Sequence, residues 1–153
     1  MNRSGYGRIR PGMALQAYMS RKCVPYTPVT SKLAELTVAL VSSSGVYMEG
    51  QEPYGAEGDD SYRVIPADAT PAQLRFKHGH YDTSEAERDA NVVFPLERLR
   101  ELAAEGFIKR VSNKHIGCKG FSKDLKAQYE RMAPAVAAEI ERSQADAVVL
   151  TGG

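Results

Sequence analysis

The sequence has little of several things that would point to a specialised class of protein. It has two cysteines in 153 residues, Cys23 and Cys118. Two thiols make neither a disulfide framework nor a zinc cluster. It has no excess charge of one sign: 20 Lys and Arg stand against 19 Asp and Glu. That balance argues against a general nucleic-acid coat and against a membrane-surface protein. Long hydrophobic runs are missing too. Stretches such as Val38–Val41 and Ala147–Leu150 are far too short to span a bilayer. No basic start followed by an apolar stretch marks a signal peptide. The expectation is one cytoplasmic domain, with neither nucleic acid nor membrane as a partner. Apolar residues make up 42% and charged residues 25%, ordinary globular usage that excludes wholesale disorder.

The charge that is present is unevenly placed. Residues 1–34 hold six basic side chains (Arg3, Arg8, Arg10, Arg21, Lys22, Lys32) and no acid. Residues 49–60 hold five acids (Glu49, Glu52, Glu57, Asp59, Asp60) and no base. Solvated segments explain both. Docking onto an acidic partner is the sharper alternative. RNA binding lacks aromatics interleaved at a useful spacing. Residues 1–33 are read as a basic N-terminal strap and 34–153 as the folded domain. Two prolines in Val24–Thr30 make that segment extended, with a helical turn at Ser31–Glu35.

Thr37–Val41 is short, β-branched and apolar, then breaks at Ser42-Ser43-Ser44-Gly45. This predicts a strand buried on both faces, as in a parallel sheet. The serine turn would lie at its carboxyl end, where open α/β sheets bind ligands. Short strands are expected at Ser61–Ile65 and Leu74–His78. Phe94–Glu105 reads as a helix with Pro95 in its first turn, a leucine stripe and Gly106 closing it. Phe107–Val111 returns as a strand, and Ser112–Ser122 reads as a loop. Ser122 is the expected cap of a last helix, with Leu125, Tyr129, Met132, Val136 and Ile140 on one stripe and a kink at Pro134. Ala147–Leu150 is a second buried-strand pattern. Two βαβ steps in succession predict an α/β domain: a three-layer parallel sheet of Rossmann or flavodoxin-like type. The Thr151-Gly152-Gly153 ending suits a chain leaving a strand tightly beside a ligand. The α/β unit thus reads as truncated after a core strand, with a natural C-terminal strand and a frayed tail as the alternative.

Several groups carry candidate chemistry. His78 and His80, with Asp82 and His115, offer nitrogen and oxygen donors for a metal. The same cluster suits a locally bonded loop, or substrate contacts with His as an acid or base. Asp89-Ala90-Asn91 suits either a helix cap or the anchoring of a ligand amine. Cys118 has Lys119 beside it, the setting of an activated thiol, although a passive thiol is the plainer reading.

Taken together, Val24–Thr30, Lys32-Leu33 and Ala39–Val46 resemble the start of a known family. The middle resembles it more: His78-Gly79, Tyr81-Asp82, Asp89–Leu102, Gly106–Ile108 and His115–Gly117. The family is that of the B-type selenoprotein subunits of glycine, sarcosine, betaine and D-proline reductases, and the likeness is strongest to the D-proline branch. The resemblance covers roughly residues 24–153. In this family a selenocysteine, or a cysteine in some relatives, follows the segment matching Thr151-Gly152-Gly153, and a Gly-Thr-Cys run comes next. The resemblance implies that the printed chain is the N-terminal portion, halted at a UGA codon. An in-frame UGA with a continuing reading frame beyond Gly153 is the check.

The resemblance further implies reductive C–N cleavage of an amine or amino acid. A selenolate attacks the carbon bearing nitrogen, and thiols resolve the selenide–sulfide. In the proline branch a partner subunit carries a pyruvoyl group that holds the substrate amine. His78, Tyr81, Asp82, Asp89 and Asn91 are the candidates for shaping the substrate or subunit face. Thr151, Gly152 and Gly153 would form the nucleophile loop. The printed chain would then be inactive alone, and would work in a hetero-oligomer with a pyruvoyl subunit and a thiol reductant. An alternative is an Asp/Glu-racemase-like α/β enzyme using Cys118, with Cys23 as the second thiol it would need. A non-catalytic partner-binding fragment is another.

Overall fold

The computed structural model describes residues 28–152. The strap lies largely outside them, as do Cys23 and Gly153, so the expectations placed there have no structural counterpart. A 3₁₀ turn at Leu33–Glu35 leads into strand β1, Thr37–Ser42. β2 (Val46–Met48), β3 (Tyr62–Pro66) and β4 (Leu74–Phe76) follow. Helix α1 (Ser84–Arg88), a 3₁₀ turn at Ala90–Val92 and helix α2 (Leu96–Ala104) precede β5 (Arg110–Val111) and β6 (Lys114–Cys118). Helix α3 (Leu125–Ala127) runs through a π turn at Gln128–Met132 into α4 (Ala133–Arg142), and β7 (Ala147–Thr151) closes the order.

The main sheet is mixed, which corrects the all-parallel expectation. β1 pairs in parallel with β5 and β6 on one side and with β7 on the other. β3 runs antiparallel along β6, from Tyr62↔Cys118 to Pro66↔Lys114. β2 and β4 form a separate antiparallel ribbon. Alternation along β1 sends side chains to both faces. Val38 and Leu40 pack with Phe94, Leu96 and Leu99, while Ala39 packs with Ile116 and Ile140. β1 is accordingly buried on both faces, as its composition requires.

Other boundaries moved for identifiable reasons. The glycine-bearing stretch expected as a loop contains β6. A Cβ at Gly117 would stand 2.0 Å from the Val46 carbonyl oxygen, so this glycine marks a close strand approach and not a turn. The strand expected at Phe107–Val111 shrinks to two residues. Gly106 ends α2 at φ +78°, and the next two N–H groups return to the Leu102 carbonyl. Asp124, not Ser122, caps α3, accepting from Ala127 N–H at 2.9 Å. Pro134 has no N–H to donate to Glu130, and the π turn ends two residues before it, at Met132. The turn breaks the expected stripe: Tyr129 is left exposed while Val136 and Ile140 reach the core.

β7 departs most from expectation. It forms a sheet edge, and Val148, Val149 and Leu150 are exposed, Leu150 at 76%. Among the described residues no strand pairs with its outer edge. The acidic segment is largely exposed, and Glu49, Glu57 and Asp60 form surface pairs with Arg75, Lys123 and Arg131. No helix among the described residues is long and apolar enough to cross a membrane.

Candidate functional site

The carboxyl ends of β1, β6 and β7 lie side by side, since Ser42 pairs with both Gly117 and Thr151. The backbone links continue past the strands. Ser43 N–H reaches the Thr151 carbonyl, Gly45 N–H the Cys118 carbonyl, and Gly120 N–H the Ser43 carbonyl. Gly45 holds φ +75° against the ribbon, where a Cβ would meet the Lys77 oxygen at 2.3 Å.

A buried hydroxyl network sits at this end. The Val93 carbonyl accepts from Ser42 Oγ at 2.9 Å and from Thr151 Oγ1 at 2.6 Å, filling both lone pairs. Ser42 and Ser44 Oγ lie 2.8 Å apart. Ser42 spends its one proton on Val93, so Ser44 donates to Ser42. Tyr81 O–H donates to the Ser44 carbonyl at 2.8 Å. The Asp89–Phe94 segment is thereby tied to the exit of β7. Phe94 itself is buried, its ring edge-on to His115.

Loop 78–82 covers the same end. The His78 and Tyr81 rings are 4.7 Å apart, and His80 lies 3.9 Å from Phe121. Burial, then the Lys119 charge, then His80, hold the His78 pKa below the ordinary histidine value. Burial also raises the Tyr81 phenol. Lys119 is fully buried and donates to the Gly55 and Ala56 carbonyls. A groove of about 750 Å³ runs from His78 between the β2–β4 ribbon and α1.

The structure gathers His78, Tyr81 and Thr151 here, and commits Asp82, Asp89 and Asn91 to local hydrogen bonds. Asp82 accepts from Ser84 N–H at the start of α1. Asp89 accepts from the Asn91 N–H and amide, and the Asn91 amide also donates to Glu97. These bonds hold both aspartates below the usual carboxylate pKa. Asn91 Oδ1 is buried without a partner. His115 lies inside the sheet and does not join His78 and His80. Its Nδ1 accepts from Leu40 N–H at 3.0 Å. Among the described residues no three His, Cys, Asp or Glu side chains group as metal ligands.

The sequence reading missed Ser42, Ser44 and Lys119 as site residues. The serines did stand directly after a buried-strand pattern at the expected ligand end. Lys119 had no signal beyond its neighbour Cys118, because burial of a lysine leaves no mark on composition.

Cys118 is poorly suited to be a nucleophile. It is buried, its thiol donates to the Ser42 carbonyl at 3.3 Å, and burial pushes its pKa up to about 11. In native protein at pH 7.5, iodoacetamide is expected to label Cys118 at least about 100-fold more slowly than in denatured chain, by the thiolate fraction alone. Peptide mapping by mass spectrometry reads this directly. Native labelling as fast as denatured labelling would restore the racemase-like alternative.

Comparison with known proteins points one way. The family profile described as glycine/sarcosine/betaine reductase selenoprotein B matches residues 16–153. D-proline reductase subunit gamma of Acetoanaerobium sticklandii is 41% identical over 128 residues, which is 84% of this chain and 53% of that protein. Glycine reductase complex component B subunit gamma of Carboxydothermus hydrogenoformans is 32% identical over 133 residues, 84% of this chain and 30% of that protein. Sarcosine reductase complex component B subunit beta of Peptoclostridium acidaminophilum is 28% identical over 102 residues, 63% of this chain and 23% of that protein. The chain spans about half the length of the first and less than a third of the others. No solved structure matches it. On a profile match that runs over nearly the whole length, the chain belongs to the glycine/sarcosine/betaine reductase selenoprotein B family.

Proposed function

We propose that the chain forms the nucleophile-delivering part of a multi-subunit reductase that cleaves a C–N bond of D-proline, or of glycine, sarcosine or betaine. The observation that carries this is the 41% identity to D-proline reductase subunit gamma over 84% of the chain. The geometry at the end of β7 agrees with it. Thr151 is fixed by its hydroxyl on the Val93 carbonyl and by Ser43 N–H on its own carbonyl. Beyond it Gly152 is open, for a Cβ there would meet nothing within 4 Å. The pinned strand end supports the proposed placement of a reactive residue beyond it.

A selenolate in that position supplies a nucleophile ionised at neutral pH that also leaves easily. The chain's own residues do the rest. Ser42, Ser44 and Val93 hold the strand end in place. His78 and Tyr81 line the near wall, and neutral His78 is able to take or hold a proton there. Asp82, Asp89 and Asn91 shape the face presented to substrate or subunit. The pyruvoyl group belongs to a partner subunit in this reading, and a pair of thiols, oxidised to one disulfide, supplies the two electrons. The flavodoxin-like layering and a cytoplasmic location are part of the same proposal.

The test is turnover by the native complex purified with this chain. D-proline is the first substrate to try, and its ring is expected to open to a linear ω-amino acid as two thiols become one disulfide. Glycine, sarcosine and betaine follow. A complex that turns over none of the four contradicts the reading. The 153-residue chain alone is expected to show no activity, and turnover by it would overturn that part.

A further inference from the structure

Lys119 follows β6 at the carboxyl end of the sheet and has no exposed surface. A buried ammonium is costly unless an opposite charge meets it. The neighbouring segment is rich in acid, yet four of its five carboxylates, Glu49, Glu57, Asp59 and Asp60, are committed elsewhere. Glu57 pairs with Lys123, Asp60 with Arg131, and Asp59 accepts from Gly55 N–H and Ser61. Among the described residues no carboxylate forms an ion pair with Lys119. Its Nζ donates to two backbone carbonyls, of Gly55 and Ala56, which leaves the third proton of the ammonium without an acceptor.

What lies over that nitrogen is thin. Gly55, Ala56 and Gly79 are all exposed, and none carries a side chain larger than a methyl group. A Cβ at Gly79 would come within 3.9 Å of Nζ. The His78 and Tyr81 rings flank the same loop.

We propose that Lys119 Nζ binds the carboxylate of a small amino-acid substrate, which enters where Gly79 and Ala56 cover the ammonium. This rests on the reductase reading for the identity of the substrate. The four amines named above share a carboxylate, so one lysine serves any of them. An ammonium bonded to a carboxylate is also a stronger interaction than one bonded to carbonyls alone.

The test separates the carboxylate from the amine. Cyclopentanecarboxylate has D-proline's ring size and acid without the nitrogen, and pyrrolidine has the nitrogen without the acid. Each is titrated into the full chain with ¹⁵N-labelled lysine, following the Lys119 Nζ resonance. Cyclopentanecarboxylate is expected to shift it and pyrrolidine to leave it. Lys119→Met is expected to weaken cyclopentanecarboxylate binding about 10- to 100-fold, the range of a charged hydrogen bond. Should that variant fail to fold, the wild-type resonance carries the test. Equal responses to both compounds, or no response to either, would overturn the assignment. Turnover by the complex is read separately. Carboxylate binding without turnover removes the reductase reading and leaves Lys119 its ligand, whereas turnover without carboxylate binding removes Lys119 alone.

Discussion

Gly117→Ala is expected to destabilise the domain by about 3 kcal/mol or more and to lower its soluble yield. The added Cβ would stand 2.0 Å from the Val46 oxygen, 2.8 Å from its Cγ1 and 3.0 Å from its carbonyl carbon. Two of these are backbone atoms, so no flexible side chain end yields. Gly117 cannot retreat either, because β6 is held between β1 and β3. Overpacking where neighbours relax costs about 1–3 kcal/mol, and a backbone collision at a clamped strand lies at or above the top of that range. Against a domain stability of roughly 5–15 kcal/mol that is a large share. Soluble yield and the urea midpoint read the effect. A midpoint equal to wild type would mean that the ribbon carrying Val46 moves freely from the sheet.

Stability is expected to fall as the pH drops below about 6.5, because of His115. Its side chain replaces a backbone carbonyl in the sheet. β1 pairs with β5 at Thr37 and Val38 and with β6 at Val41 and Ser42, and between the two the Leu40 N–H finds His115 Nδ1. Accepting there puts the ring proton on Nε2 and requires the neutral form. Burial, seconded by Arg100 and weakly opposed by the Ser112 backbone, lowers the pKa to about 4. The unfolded chain therefore takes up a proton at higher pH than the native one. Its contribution is complete above pH 6.5 and is lost as the pH falls toward 4, at about 1.4 kcal/mol per unit. Urea unfolding between pH 7.5 and 5 measures it in a window where carboxylates change little. His78 slopes the same way, so the test compares wild type with His115→Gln. The variant is expected to be destabilised by about 1–3 kcal/mol at pH 7.5, since Leu40 N–H loses its partner, and to show a shallower pH slope. Identical slopes would assign the titration elsewhere.

Both sites show what a sequence hides. Thr37–Val41 declared itself as a doubly buried strand, and α2 declared itself by its leucines and Gly106, because burial pattern and caps are local properties. Gly117 and Gly120 looked like loop punctuation. What fixes Gly117 is the distance to Val46, a residue 71 positions away in a strand of another sheet. Counting at 3.6 residues per turn puts Tyr129 on the core stripe, and the π turn before Pro134 changes that count. The antiparallel β3 was beyond a periodicity argument, since alternation carries no direction. The resemblance singles out His78 and Tyr81, which the structure places in one loop, and the serine turn marks the carboxyl end of β1. Lys119 has no such mark, because its role depends on which acids of residues 49–60 reach other cations. The apolar pattern of Ala147–Leu150 marks a strand, but its sheet neighbours are set by the fold and not by its composition.

The proposal stands on one placement: a reactive residue directly beyond the end of β7, within a reductase complex. The direct measurement is alkylation of the native complex with iodoacetamide near pH 6, where a selenolate reacts and ordinary thiols hardly do. Mass spectrometry then follows the tryptic peptide that begins at Ser143. The account predicts one fast alkylation, on a selenium-bearing residue directly after Gly153, with activity lost in step and D-proline slowing the reaction. An active complex whose peptide carries no reactive residue after Gly153 would contradict it.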